Sequence, residues 1–436
     1  MKLVSLEKPK SKTTLAILCF VTIAIGIVSG LAGMLLALLL HFIQHCAFGY
    51  SPDDIISQET FFDGVNASSS LRRVTVMSLC GLIAGLGWWL LYRYGKPLVS
   101  IANAIKSNKP HMPILSTIIN ALLQIITVAM GSPLGREVAP RELGAAFACW
   151  ISMKTALSVR NTQIMVACAA GAGLAAVYNV PFGGALFTLE VLLCSFRLSA
   201  VVPAFCTAAI ATVVSWIGLG NEAQYHLPVF SISYSLVIWA IITGPIFGVF
   251  AYFFAQITAF ARSKAPKDWL ILILCPLNFV MIGLLSIYFP ALLGNGKGPA
   301  QLGFADVLNI ELAATLLVLR FLIVWTSFRA GAQGGLLTPG FANGVLLAIV
   351  LGGFWSFLYT GPPLGAFAVI GAAAFLAASQ KMPITAIILT AEFTNINFNF
   401  LIPILLAVTG SISMFSICNN GLNNRNVKSQ LEINND

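Results

Sequence analysis

Between Gly131 and Gly144 the chain reads Gly-Ser-Pro-Leu-Gly-Arg-Glu-Val-Ala-Pro-Arg-Glu-Leu-Gly. Arg136, Glu137, Arg141 and Glu142 therefore stand close together in a sequence that is 58% hydrophobic and only 9% charged. An ionisable side chain at the centre of a bilayer costs about 2.5–3.5 kcal/mol on insertion scales, so such groups face protein, water or a permeating ion rather than lipid. Two chemistries compete for Glu137. It is either one half of a salt bridge with Arg136 or Arg141 that holds two helices together, or an anion tethered in an anion path, which leaves that path on protonation. The residues alone leave both open. Other chemistries have less behind them. The nine cysteines are scattered without a Cys-x-x-Cys, and His41 and His45 have no carboxylate between them, so they read as interfacial residues and no metal site or cofactor is expected. No nucleophile with an adjacent base stands in the apolar segments, which argues against an enzyme.

The elements that must position these charges are membrane helices. Mean hydropathy is +0.90, and the uncharged stretch from Thr14 to Leu40 exceeds the roughly 20 residues that cross a hydrocarbon core. Further spans are expected over Val74–Leu91, Ile114–Met130, Ile164–Tyr178, Val201–Leu219, Ile232–Phe260, Trp269–Tyr288 and Leu312–Trp325. After Gly331 the apolar pieces shorten and are broken by Gly and Pro, as in helices whose ends line a cavity. Lys2, Lys8, Lys10 and Lys12 precede the first span, whereas the loop from Ala47 to Ser70 carries Asp53, Asp54, Glu59 and Asp63, which places the N-terminus in the cytoplasm. The net charge of +9 suits basic membrane edges and anionic lipid better than nucleic acid, since no Lys/Arg run forms a soluble patch.

An internal repeat organises these pieces. Leu174-Ala175-Ala176, Pro181 and Glu190 return as Leu376-Ala377-Ala378, Pro383 and Glu392, each 202 residues later. Interrupted segments at matching places in two halves point to a transport site near the bilayer midplane. The expected organisation is a cytoplasmic segment 1–13, a transport domain 14–418 in two repeats of about 14–219 and 230–418, and a cytoplasmic tail 419–436. Each proline suits the first position of a helix. The Gly-Arg-Glu segment pairs in the same way with Gly334-Gly335-Leu336-Leu337-Thr338-Pro339. Glycines ahead of a helix let backbone amides approach a ligand, and the helix N-terminus carries roughly half a positive charge, so two such ends facing one point would bind an anion. Weak binding of that kind permits release, which conduction requires.

Gly135-Arg136-Glu137, the Leu174–Glu190 stretch with Asn179-Val180-Pro181-Phe182-Gly183-Gly184, the Gly334–Pro339 segment and Gly365-Ala366-Phe367-Ala368-Val369-Ile370-Gly371, taken in order, resemble the CLC chloride channel and transporter family. The resemblance implies an all-α polytopic membrane protein with a CLC-type fold of about eighteen helices in two inverted halves. It also implies a homodimer with one pathway for chloride or another small anion in each subunit, set in a bacterial inner membrane and without the cytoplasmic nucleotide-binding domains of many members. Glu137 aligns with the family's external gating glutamate. Gly135, Arg136, Val138, Gly335, Leu336, Leu337 and Thr338 fall in its anion-binding motifs, with amides from Leu336 and Leu337 offered to the anion and Leu337 in place of the usual phenylalanine.

Three departures from the family pattern bear on mechanism. Lys96 falls where an anion-coordinating serine is expected. An ammonium about 4 Å from an anion contributes about 4 kcal/mol at an effective dielectric of 20, against about 1 kcal/mol for a hydroxyl; the other open reading is that Lys96 snorkels to the interface. The family's inner tyrosine has no counterpart after Tyr359, and Asn424 takes its place by crude alignment. Proton-coupled members usually carry a glutamate after the residue aligned with Glu190, where this chain has Val191, leaving the proton route through Glu190 and Val191 doubtful. Glu190 and Glu392 themselves read as helix-end or interface residues. The expected activity is therefore passive anion transport gated by Glu137, with proton-coupled anion exchange, including a fluoride-type variant, as the alternative.

Overall fold

The computed structural model describes residues 15–51, 55–57, 59–155, 157–359 and 361–433, with side chains to residue 420. The segment 1–13 and the side chain of Asn424 lie outside the described residues. The first half contains α1 (Leu15–Phe48), α2 (Phe61–Ala67), α3 (Ser70–Tyr94), α4 (Ile101–Lys106), α5 (Ile114–Ala129), α6 (Val138–Lys154), α7 (Val159–Tyr178), α8 (Pro181–Phe187) and α9 (Leu198–Leu219). The second contains α10 (Tyr234–Ser263), α11 (Ile271–Tyr288), α12 (Lys297–Phe304), α13 (Ile310–Arg329), α14 (Leu337–Leu358), α15 (Leu364–Gln380), α16 (Pro383–Thr394) and α17 (Leu401–Ile433). Among the described residues there are thus seventeen α-helices and no strands, and nine helical segments are long and apolar enough to cross a membrane. A π-helical turn at Thr188–Leu192 continues α8.

Local sequence sets the helix boundaries. Ser69, Ser158, Ser233 and Asn309 each accept a backbone N–H of the first turn of α3, α7, α10 and α13, replacing partners that a helix start lacks. Pro181 and Pro383 are the first residues of α8 and α16, where a missing N–H costs nothing. The preceding helices end alike, with Asn179 (φ 56°, ψ 49°) and Lys381 (φ 55°, ψ 45°) in the left-handed region. The first helix runs further than the charge-free stretch, to Phe48, so His41 lies within it and His45 in its last turn. His45 is buried and its ring lies 4.4 Å from that of Tyr50.

Small residues build the centre. Helices α7 and α15 are buried along almost their whole length and consist largely of Ala and Gly, which let backbones approach where lipid supplies no hydrophobic drive. Gly173 faces the backbone of Pro140 in α6, and Gly344 faces the carbonyl of Gly371. Leu, Ile and Phe are exposed along α1, α3, α10 and α11, as expected of helices that face hydrocarbon.

A local two-fold relation ties the halves together. The Glu190 carboxylate accepts the N–H groups of Ile384 and Thr385 at 3.0 and 2.7 Å and the Thr385 hydroxyl at 2.6 Å. Reciprocally, Glu392 accepts the N–H groups of Phe182 and Gly183 at 2.9 and 2.7 Å. Each half therefore caps the short Pro-initiated helix of the other, the reciprocity that two-fold symmetry requires. A carboxylate on free N-terminal amides is favoured by both hydrogen bonding and the helix dipole.

Candidate functional site

The loops before α6 and α14 meet back to back. Gly135 N–H donates to Gly335 O at 2.9 Å, and Gly335 N–H donates to Gly135 O at 2.8 Å, forming an isolated antiparallel bridge. Both glycines lie against the Glu137 carboxylate: a Cβ on either would overlap the end of that side chain and displace it. The positive-φ turns at Gly131 (φ 110°) and Gly331 (φ 101°) lead into the two loops, a conformation that glycine adopts without a steric penalty. The Gly334 carbonyl accepts a hydrogen bond from Arg262 Nη2 at 3.0 Å, so a side chain at the end of α10 braces the second loop.

Glu137 immediately precedes α6, yet its carboxylate reaches across the bridge to the other half. Oε1 accepts the N–H of Leu337, the first residue of α14, at 2.7 Å. Oε2 lies 3.4 Å from the Tyr178 hydroxyl, which in turn is 2.9 Å from Thr338 Oγ1. Only 1% of Glu137 is exposed. The carboxylate thus sits, buried, on a helix N-terminus, where preorganised amides attract negative charge more strongly than in water.

Neither nearby arginine is a hydrogen-bond partner of Glu137. Arg136 is buried, places its guanidinium 5.0 Å from the centre of the Tyr178 ring and reaches Gln224 Oε1 at 3.5 Å. Arg141 lies 4.2 Å over the Phe187 ring. Glu142 belongs to a separate polar cluster, accepting Asn120 Nδ2 at 2.9 Å while Asn120 Oδ1 accepts Trp88 Nε1 at 3.0 Å.

A cavity of about 210 Å³ opens beside Glu137, and its wall includes Val138, Arg141, Val191, Arg262 and Leu336. Gly335 and Leu337 also border it. The structure therefore brings together Gly135, Glu137, Val138, Gly335, Leu336, Leu337 and Thr338, with Arg136 behind Tyr178. Val191 faces the same cavity, whereas both oxygens of Glu190 are occupied by α16.

Lys96 is not brought to this place. Its N–H donates to Ser116 Oγ at 2.9 Å, fixing the segment after α3 against α5, and its side chain is exposed. It borders a different cavity of about 760 Å³ beside Tyr94, His111, Trp150 and Met153. The long side chain keeps its ammonium in contact with solvent instead of burying it near the bridge.

Two contributors have signals in the sequence that were not read. Tyr178 occupies the last position of α7, and Gln380, 202 residues later, ends α15 and borders the Glu137 cavity. Both are polar residues that end a buried helix in matching copies of the repeat, and both stand beside Glu137 or its cavity. Arg262 has no such marker, because the contact that places it spans 72 residues.

Comparison with known proteins fits this arrangement. The family described as "Voltage gated chloride channel" matches residues 80–416. The chain is 27% identical over 358 residues to the "Voltage-gated ClC-type chloride channel ClcB" of Citrobacter koseri, covering 76% of this chain and 82% of that one. It is 25% identical over 421 residues to the "H(+)/Cl(-) exchange transporter ClcA" of Vibrio vulnificus, covering 92% and 86%. Among solved structures, a slow cyanobacterial Cl-/H+ antiporter superposes with a TM-score of 0.78 at 19% identity, over 94% of this chain and 96% of that one. A CLC-type fluoride/proton antiporter superposes with a TM-score of 0.63 at 18% identity, over 93% and 96%. The repeated helices, the bridged glycine loops and the family match over most of the chain lead to one conclusion: this multi-pass membrane protein belongs to the CLC family of voltage-gated chloride channels and transporters.

Proposed function

We propose that the protein moves chloride or a similar small anion across the membrane, with Glu137 as the gate. The observation that carries this reading is the 2.7 Å hydrogen bond from the Leu337 amide to the Glu137 carboxylate. A tethered anion occupies the helix N-terminus that a free anion would otherwise use. Protonation removes its charge and its claim on the amide, so the free anion enters. Gly135, Arg136, Val138, Gly335, Leu336 and Thr338 shape this site, while Lys96 acts outside it.

Passive transport is the mode that Val191 supports, because an apolar side chain on the cavity wall relays no proton. Proton-coupled exchange is supported by different observations: the Vibrio vulnificus relative is named a proton/chloride exchanger, and two of the solved structures of this fold are described as proton antiporters. We place the transport domain at 14–418, with repeats 14–219 and 230–418, in a homodimer whose N-terminus faces the cytoplasm across a bacterial inner membrane.

Purified protein in liposomes under a chloride gradient, with a chloride and a pH electrode, separates the modes. Chloride efflux without proton movement is the result expected of passive transport. Protons driven uphill by the chloride gradient, reversing when it reverses, would establish exchange. No chloride efflux at all would contradict the whole reading.

A further inference from the structure

The Glu137 cavity contains more positive charge than the gate uses. Its wall includes two guanidinium groups, Arg141 from α6 and Arg262 from α10, and Glu137 is its one acidic residue among the described residues. With Glu137 ionised the lining has a surplus of one positive charge, and with Glu137 protonated a surplus of two. Arg262 stands at an exposed helix end, whereas Arg141 is half-buried and its Nε is out of solvent without a partner; a guanidinium N–H withdrawn from water in this way is costly, and a bound anion supplies the compensation.

The two arginines are also held in a way that leaves their edges free. Arg141 lies 4.2 Å over the Phe187 ring and Arg262 lies 4.1 Å over the Phe328 ring. Stacking covers a guanidinium face and fixes its plane, while the N–H groups point outward along the edges. Arg141 Nε is buried without a hydrogen-bond partner. Arg262 spends Nη2 on the Gly334 carbonyl. The acid next to Arg141 in sequence, Glu142, is already engaged with Asn120.

We infer that Arg141 and Arg262 form a second anion site, in series with the Leu337 amide site, and that it prefers small planar oxyanions over spherical halides. The preference follows from shape. A guanidinium presents parallel N–H donors that match two oxygens of one planar anion, whereas a halide meets them at a single point. The cavity of about 210 Å³ has room for an anion of that size together with water. This inference rests on the reading of the cavity as part of an anion path.

The test is calorimetric titration of the purified full-length protein with nitrate and with chloride, alongside the chloride efflux assay. Wild type should bind nitrate about tenfold more tightly than chloride, the size expected of one additional charge-assisted hydrogen bond. Arg141→Gln and Arg262→Gln should each weaken nitrate by about tenfold or more. Arg262→Lys, which keeps the charge at an exposed helix end and folds without new burial, should retain chloride affinity and lose the nitrate preference. Wild-type protein that moves chloride yet binds nitrate no more tightly than chloride overturns the guanidinium site alone. So do glutamine variants with unchanged nitrate affinity, or an Arg262→Lys variant that keeps the preference. Wild-type protein that neither binds nor moves chloride overturns the transport reading as well.

Discussion

Three carboxylates in this molecule sit on helix N-termini that belong to the opposite half of the chain, and they are bound very differently. Glu190 and Glu392 are repeat partners, and each receives two amide hydrogen bonds of 2.7–3.0 Å from the other's half. Glu137 receives one amide at 2.7 Å and a phenol at a long 3.4 Å. Its counterpart across the Gly135–Gly335 bridge is not an acid but Leu337, the residue whose amide it takes. Where both halves supply a carboxylate and both supply amides, the exchange closes on itself and locks the halves together. Where only one half supplies the acid, the carboxylate is held by a single amide and no reciprocal contact closes the exchange. The proposed gating by Glu137 rests on that broken symmetry.

That contrast can be attacked from its strongest consequence downward. Removing both clasps in Glu190→Ala/Glu392→Ala should cost about 4 kcal/mol, from four helix-start amides left without a charged acceptor, two of them on the exposed residues Phe182 and Ile384, and yield no monodisperse protein on size-exclusion chromatography. Each single alanine variant should cost about 2 kcal/mol and lower the thermal midpoint in detergent by similar amounts. A large effect at one position and none at the other would break the symmetry argument. Gly335→Ala should cost about 2 kcal/mol, since its methyl group meets the end of the flexible Glu137 side chain and pushes the carboxylate off the Leu337 amide. Tyr178→Phe should be the mildest change, about 1 kcal/mol in stability, since it removes the 3.4 Å contact to Glu137 and the 2.9 Å hydrogen bond to Thr338 Oγ1, but it should speed anion efflux by loosening the carboxylate.

Much of this was legible in the amino-acid sequence, for reasons that can be named. Prolines and glutamates recurring at one spacing identified the repeat, since Pro at a helix start and a small-residue helix before it are local features. The Gly-Arg-Glu and Gly-Gly-Leu-Leu-Thr-Pro loops were legible because close backbone approach leaves only glycine at the crossing points. Less could be read where two distant segments decide the outcome. Matching positions for Glu190 and Glu392 were visible, but that each grips the other's helix depends on the two-fold relation in space. For Lys96 the amino-acid sequence leaves both an anion contact and snorkelling to the interface open, because counting along the chain ignores the Ser116 contact that fixes its segment against α5. Arg262 is not legible as a site residue because it lies among charged residues at a helix end, where basic residues are ordinary.

The central claim is that Glu137 is an anion competing for the site that a permeating anion uses. The most direct measurement is chloride efflux from proteoliposomes as a function of pH for the wild type and Glu137→Gln, with folding verified by an unchanged elution profile. Protonation removes the tethered charge, so wild-type efflux should rise as pH falls, and the glutamine variant should be fast at every pH. Equal efflux from both proteins, or a pH dependence that survives in Glu137→Gln, would contradict the account and return Glu137 to a structural role.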